Sequence, residues 1–276
     1  MSNPIGWCDE TWNPVVGCSH VSPACDHCYA ERMARRQVAM GNYPPSVIAC
    51  QHPDRGLPCE LPDEMCDGFF PCGWSGKVAI FPDKLDQPLH WKKPRRIFVV
   101  SMGDLFHEDV PWWFIAKVFI RMALAPQHTF QLLTKRPERM CEFVLDSLDQ
   151  GVPVLSNVWL GVTAEDQQRA DERIPILLDT PAAVRFVSVE PMLGPVDLYS
   201  PSYLPEQGID YDDDGNLFSP KLDWVICGPE TGPGARPFKL QWARGLRDPC
   251  VAAGVPFWFK AGLLDSVEWH QRPGTA

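Results

Sequence analysis

The 276-residue chain reads as an α/β protein built on a parallel sheet, and two observations carry that reading. Short, nearly continuous apolar runs recur along it, as expected of strands covered on both faces. Helix-like segments fall between most of them, the alternation that parallel strands with crossover helices require. Strands are expected at 97–101 (IFVVS), 130–134 (FQLLT), 158–163 (VWLGVT), 184–190 (VRFVSVE), 224–228 (WVICG) and 256–260 (PFWFK). A further strand near 12–16 brings the count to about seven. Helices are expected at 111–125, 137–148, 164–178 and 240–253.

Composition bounds the rest. At 45% hydrophobic residues the chain can bury a large core, and a single domain over 1–276 is expected, with insertions at about 44–76 and 200–222. No apolar run approaches the roughly 18 residues of a membrane span. Residues 1–4 form no apolar leader and the 11 cysteines are odd in number, so a reducing, cytoplasmic setting is expected rather than a disulfide framework. The net charge of −10 argues against non-specific DNA binding, which depends on neutralising many phosphates. Two local basic clusters, Arg32, Arg35 and Arg36, and Lys92, Lys93, Arg95 and Arg96, are either solvated surface or phosphate contacts.

The most informative stretch is GCSHVSPACDHCYAE, which places Cys18, Cys25 and Cys28 in C-x6-C-x2-C spacing. Three thiolates on one loop can hold three irons of a 4Fe-4S cluster and leave the fourth iron open to a cofactor or substrate. A closed zinc site is the alternative, with His20 or His27 as fourth ligand. Packing cysteines are a third reading, but Ser19, His20, Ser22, Pro23, Asp26 and His27 make a polar loop rather than a core.

Polar residues gather just beyond the expected strand ends: Ser101-Met102-Gly103-Asp104, Lys135-Arg136, Thr163 with Glu165, Glu190, Glu230-Thr231-Gly232, and Lys260. In parallel α/β sheets and barrels this edge binds ligands, because its loops converge on one mouth. The cysteine loop opens onto the same edge, and His107 in DLFHED lies near enough to touch a substrate there.

The cysteine loop, followed by a helix on the first strand of such a chain, resembles the radical S-adenosylmethionine superfamily. Cys25-Asp26-His27-Cys28-Tyr29 fits the second half of that superfamily's C-x3-C-x2-C motif, with a CxxCY ending similar to the spore photoproduct lyase branch. The first gap departs from it, with six residues in place of three. The stretches TWNPVVGCSHVSPACDHCYAERMA, RRIFVVSMGDLFHEDVP, LLTKRPERM, WLGVTAEDQ, RFVSVEPMLGP and VICGPETGPGARP resemble a phage-associated family of three-cysteine proteins without a settled activity.

The resemblance implies a partial TIM-like (β/α)6-7 barrel with a Cys/Pro-rich insertion. It implies a 4Fe-4S cluster on Cys18, Cys25 and Cys28 that reductively cleaves S-adenosylmethionine to a 5'-deoxyadenosyl radical. Carried over by position, Ser101, Gly103 and Asp104 stand for the superfamily's Gly-Gly-Glu segment, with one glycine and an aspartate in its place. Thr163, Glu165, Glu190, Gly228 and Glu230 stand where cofactor contacts are expected. The implied partners are a one-electron donor protein and a small-molecule or nucleotide substrate, with modification of a nucleotide or nucleic acid suggested by the phage association. The alternatives are a zinc-binding module without enzymatic activity, or an iron-sulfur sensor or electron carrier.

Cys50, Cys59, Cys66 and Cys72 fall in the Pro- and Gly-rich insertion, where a metal is a natural staple: zinc, then an auxiliary cluster, then free thiols. Cys8, Cys141, Cys227 and Cys250 sit singly and read as packing residues. Asp210, Asp212, Asp214 and Gly215 match the opening of a calcium loop, but Lys221 stands where its bidentate glutamate belongs, so a solvated acidic turn is expected.

Overall fold

A computed structural model describes residues 5–50, 72–199, 203–205 and 221–274. Its centre is an eight-stranded sheet: β1 (Glu10–Trp12), β2 (Arg96–Val99), β3 (Thr129–Thr134), β4 (Val158–Thr163), β5 (Val184–Val189), β6 (Trp224–Cys227), β7 (Phe257–Leu264) and β8 (Val267–His270). They lie side by side in chain order, parallel from β1 to β7, with β8 antiparallel at the edge. The β7–β8 hairpin turns through Asp265 and Ser266, both at positive φ (56° and 64°), as a two-residue primed turn requires.

Among the described residues five α-helices accompany the sheet: α1 (Tyr29–Ala39), α2 (Trp112–Ala123), α3 (Pro137–Asp149), α4 (Gln167–Asp179) and α5 (Leu240–Ala252). Local chemistry sets their starts. Pro137 opens α3, where the missing N–H costs nothing. Asp166 caps α4 by accepting from the Arg169 N–H. In α2, Phe114, Ile115, Val118 and Met122 fall on one face at helical spacing and are buried.

The two faces of the sheet are sorted by strand alternation. Ile97, Val99, Phe130, Leu132, Val158, Leu160, Val187, Val225 and Phe257 join the helices in the main core. The alternate positions Phe98, Trp159, Phe186, Trp224, Ile226 and Trp258 form a second cluster with Trp7 and Cys8. Trp7 lies against Phe98 of β2 with the rings tilted by 53° (4.7 Å between centroids) and meets Trp224 of β6 edge to face (6.1 Å). Those strands are four ladder steps apart, about 19 Å in a flat sheet, so the sheet curls and packs this face on itself. Gly161 makes room for the curl, since a Cβ there would stand 2.6 Å from the Phe186 ring. Among the described residues no ladder joins β1 to the β7–β8 hairpin; the Arg272 guanidinium donates to Gly6 O (3.4 Å) beside that seam.

The strand expected near 12–16 is divided. β1 ends at Trp12, and after Asn13-Pro14 the pair Val15–Val16 leaves the sheet to pair antiparallel with Ala79–Ile80. Pro14 lacks the N–H a continuing ladder needs. In the insertion, Ile48–Cys50 pairs antiparallel with Cys72–Trp74, which sets Cys50 opposite Cys72 in register. Cys59, Cys66 and the acidic stretch 210–215 lie outside the described residues. Cys8, Cys227 and Cys250 are buried and Cys141 is half-buried, as packing residues should be.

Candidate active site at the C-terminal edge of the sheet

The cysteine loop leaves the short strand Val15–Val16 at Gly17 and docks on the segment that follows β2. Gly17 and Gly103 form an isolated parallel bridge, and the Gly17 N–H donates to Met102 O (3.0 Å). A Cβ on Gly103 would stand 2.6 Å from Gly17 O, and one on Gly17, at φ 107°, 2.3 Å from Lys77 O. Both glycines serve close backbone approach. Val100 just before this segment has φ 65°, a strained value for a β-branched residue, of the kind found at functional sites. Ser101 donates to Asn13 Oδ1 (3.2 Å), and its carbonyl accepts from the Tyr29 hydroxyl (3.1 Å) at the start of α1.

Cys18 stands beside a buried polar network. Arg136 Nη1 lies 3.6 Å from Cys18 Sγ and 3.2 Å from Asp104 Oδ2. Asp104 also accepts from Thr134 Oγ1 (2.8 and 2.9 Å) and the Lys135 N–H (3.2 Å), so its carboxylate is fully engaged at the end of β3. Arg136 further donates to Glu108 (3.0 Å) and to Ser19 Oγ (2.6 Å). Burial pushes the Cys18 thiol up to about 12, with Asp104 adding to the rise and Arg136 opposing it. His107 is fully buried beneath this loop rather than lining a mouth. Its Nδ1 accepts from the Asp109 N–H (3.1 Å), which leaves the proton of the neutral ring on Nε2, 3.0 Å from Ser19 Oγ.

Two further carboxylates fasten the middle of the loop. Glu165, fully buried, accepts from the Ala24 N–H (3.2 Å) next to Cys25 and from Arg173 of α4 (3.0 Å). Arg173 also donates to Thr163 O (2.7 Å). Burial pulls the Glu165 carboxyl upward, but Ser22 and Arg173 together hold it below the ordinary glutamate range. Glu230, its side chain 4% exposed, accepts from Arg236 Nε (3.0 Å), from the Arg236 N–H (2.8 Å) and from His27 Nδ1 (2.9 Å). Arg236 in turn donates to Pro23 O (2.9 Å) and Asp26 (3.2 Å). Burial raises the Glu230 carboxyl, yet the Arg236 contacts and His27 bring it down to about 2. The GPETGPG turn closes over α1, where Arg32 donates to Thr231 O (2.9 Å) and Gly232 at φ 99° leaves the guanidinium its space.

The remaining strand ends point into the curl. Glu190 pairs with Lys260, and a Cβ on Gly228 between them would stand 3.1 Å from Lys260 Cβ. The edge thus brings together Cys18, Cys25, Cys28, Ser101, Gly103, Asp104, Thr163, Glu165, Glu190, Gly228 and Glu230. Arg136, Arg173, Arg236, Ser19 and Glu108 complete it. Of these, Arg136 alone showed as a polar strand end. The cluster Lys92, Lys93, Arg95 and Arg96 belongs to the opposite edge, where Arg95 pairs with Glu10 and Arg96 with Asp9.

Cys18, Cys25 and Cys28 are free and each is partly exposed. Among the described residues no three His, Cys, Asp or Glu side chains converge to hold a metal ion. The donor set fits a thiolate-ligated group in its chemistry: three soft donors on one fastened loop, beside a guanidinium that offsets thiolate charge. His20 and His27, the candidate fourth zinc ligands, are each hydrogen-bonded to a carboxylate, Asp26 (2.6 Å) and Glu230 (2.9 Å).

Fold and edge together define an α/β protein with a three-cysteine loop at the C-terminal end of a curled, mostly parallel sheet. Over residues 2–272 the chain matches the family described as "Protein of unknown function (DUF5131)", and it belongs to that family. No curated protein and no solved structure matches it. No helix among the described residues is long and apolar enough to cross a membrane.

Proposed function

We propose that this protein is a radical S-adenosylmethionine enzyme whose sheet is a partial (β/α) barrel, with Cys18, Cys25 and Cys28 as ligands of a 4Fe-4S cluster. The observation that carries the reading is the fastening of three free, partly exposed cysteines at the ligand-binding edge of a curled parallel sheet. Bound there, such a cluster would supply the electron that cleaves the cofactor's sulfonium.

The chain's own residues have definable tasks. Glu165 and Arg173 hold the backbone next to Cys25, while Glu230 and Arg236 hold Pro23, Asp26 and His27. Arg136 stands against Cys18 and favours its thiolate. Ser101, Gly103 and Asp104 seat the loop, and Glu190 and Lys260 pair with each other beside Gly228 on the neighbouring strands. The edge takes a small or locally recognised substrate, with a nucleotide as the working class, and the electron comes from a donor protein in the cytoplasm.

The test is electron paramagnetic resonance of anaerobically reconstituted, reduced protein, with and without S-adenosylmethionine, beside Cys28→Ala. A 4Fe-4S signal that shifts with the cofactor and vanishes in the variant supports the reading. Zinc alone in metal analysis supports the module without enzymatic activity, in which Cys50, Cys59, Cys66 and Cys72 form a second site. A cluster indifferent to the cofactor supports an iron-sulfur sensor or electron carrier.

A further inference from the structure

At the seam between the segment before β1 and the β7–β8 hairpin lies a cavity of about 390 Å3. Among the described residues its walls are Ile5, Gly6, Trp258, Lys260, His270 and Arg272, which supply three basic side chains and no carboxylate. The hairpin register sets Trp258 opposite His270, and their rings stack (4.2 Å between centroids, 16° between planes). The Arg272 guanidinium lies over the same indole, 4.0 Å from its centroid. Lys260 follows Trp258 by two positions on β7 and shares its side of the sheet.

These cations are incompletely matched. Lys260 has Glu190, but Arg272 has no ion pair among the described residues. Asp9, whose charge acts on Arg272, is taken by the Arg96 side chain (2.6 and 3.1 Å) and N–H (2.8 Å). Arg272 Nη2 reaches Gly6 O at 3.4 Å, and Arg272 Nε is buried with no hydrogen-bond partner among the described residues. A buried donor left unpaired calls for a ligand or a water. His270 Nδ1 stands 3.9 Å from Glu268, beyond hydrogen-bond reach. Sealing the seam explains why something flat covers Trp258. It does not explain a cover made of like charges around a void, because those charges repel until an anion joins them.

With the Lys260–Glu190 pair set aside, Arg272 and a protonated His270 match the two charges of a phosphate monoester. Donors from three side chains suit its three terminal oxygens better than a planar carboxylate with two. The cavity falls in the range of roughly 300–1,000 Å3 common for small-molecule sites, which leaves Ile5 and Trp258 as walls for an organic portion. We propose that this seam cavity binds the phosphate group of a small phosphorylated molecule, with Arg272 and His270 as its main donors and Lys260 adding charge. The site does not depend on what the cysteine loop holds.

The test is calorimetric titration of the full-length protein at fixed ionic strength with inorganic phosphate, phenyl phosphate and succinate. The proteins are wild type, Arg272→Met, Arg272→Lys, His270→Gln and, as a control for net charge, Arg121→Met, which lies on α2. Wild type should bind one equivalent of either phosphate, phenyl phosphate the more tightly, and both more tightly than succinate. Arg272→Met should lose on the order of tenfold or more in phosphate affinity, the size of one charge-assisted hydrogen bond. Arg272→Lys should retain part of it, His270→Gln should lose several-fold, and Arg121→Met should match wild type. The inference is overturned if wild type binds neither phosphate at millimolar concentration, if succinate binds as tightly, or if Arg272→Met and Arg121→Met weaken binding equally. It is overturned too if Arg272→Met lowers the thermal midpoint while phosphate affinity stays unchanged, since the guanidinium is then a seal alone. Far-ultraviolet circular dichroism checks folding, and Arg272→Lys and His270→Gln carry the test should Arg272→Met not fold. No cluster enters the titration, so its failure is distinct from failure of the resonance experiment.

Discussion

The Glu230 clamp on the cysteine loop yields the sharpest expectation. Its carboxyl is lowered from 4.5 to about 2, against burial, by Arg236 and His27. At 1.36 kcal/mol per pKa unit, the folded arrangement gains about 3 kcal/mol from the ionised group at neutral pH, an upper figure because Arg236 keeps Asp26 when Glu230 is lost. The folded value is depressed, so this contribution is fully present above about pH 4.5 and is lost as pH falls toward 2. Glu230→Gln keeps the shape and removes the charge. Hydrogen exchange over the loop, read by mass spectrometry, should then show protection at neutral pH falling by up to roughly a hundredfold, with elements remote from the edge unchanged. The gap between wild type and variant should narrow as the pH drops below about 4.5. Equal protection of the two proteins at neutral pH, or a gap that holds constant into acid, would refute the reasoning.

Three other expectations concern stability. Arg173→Met strands the fully buried Glu165 carboxylate and should cost about 3–5 kcal/mol in denaturant titration, part of it recovered by the Arg173→Met, Glu165→Gln double variant. Gly161→Ala drives a methyl to 2.6 Å from the Phe186 ring and should cost about 1–3 kcal/mol, less when Phe186→Leu is added. Gln131, fully buried on the concave side of β3, has no hydrogen-bond partner for either amide atom among the described residues. Gln131→Met should therefore leave the thermal midpoint unchanged or raise it, and a large drop would show that the amide is satisfied.

Which parts of this molecule were legible follows from the range of the interactions that make them. The run VWLGVT predicts β4 at its observed bounds, because a strand buried on both faces is written in contiguous residues. β8 was invisible: Val267, Glu268 and His270 are exposed, and Asp265-Ser266 is not the Asn-Gly or Asp-Gly signature of a two-residue hairpin. Polar strand ends marked the edge correctly, but not their engagement. Arg236 reaches Asp26 across 210 positions and His27 reaches Glu230 across 203, and such partners leave no periodic trace in sequence. Once those pairings are known, polarity at the edge ceases to be a sign of ligand contact in itself. Asp104, Glu165 and Glu230 are occupied in holding the cysteine loop, so an acidic residue at this edge marks how the loop is anchored before it marks what the loop can bind.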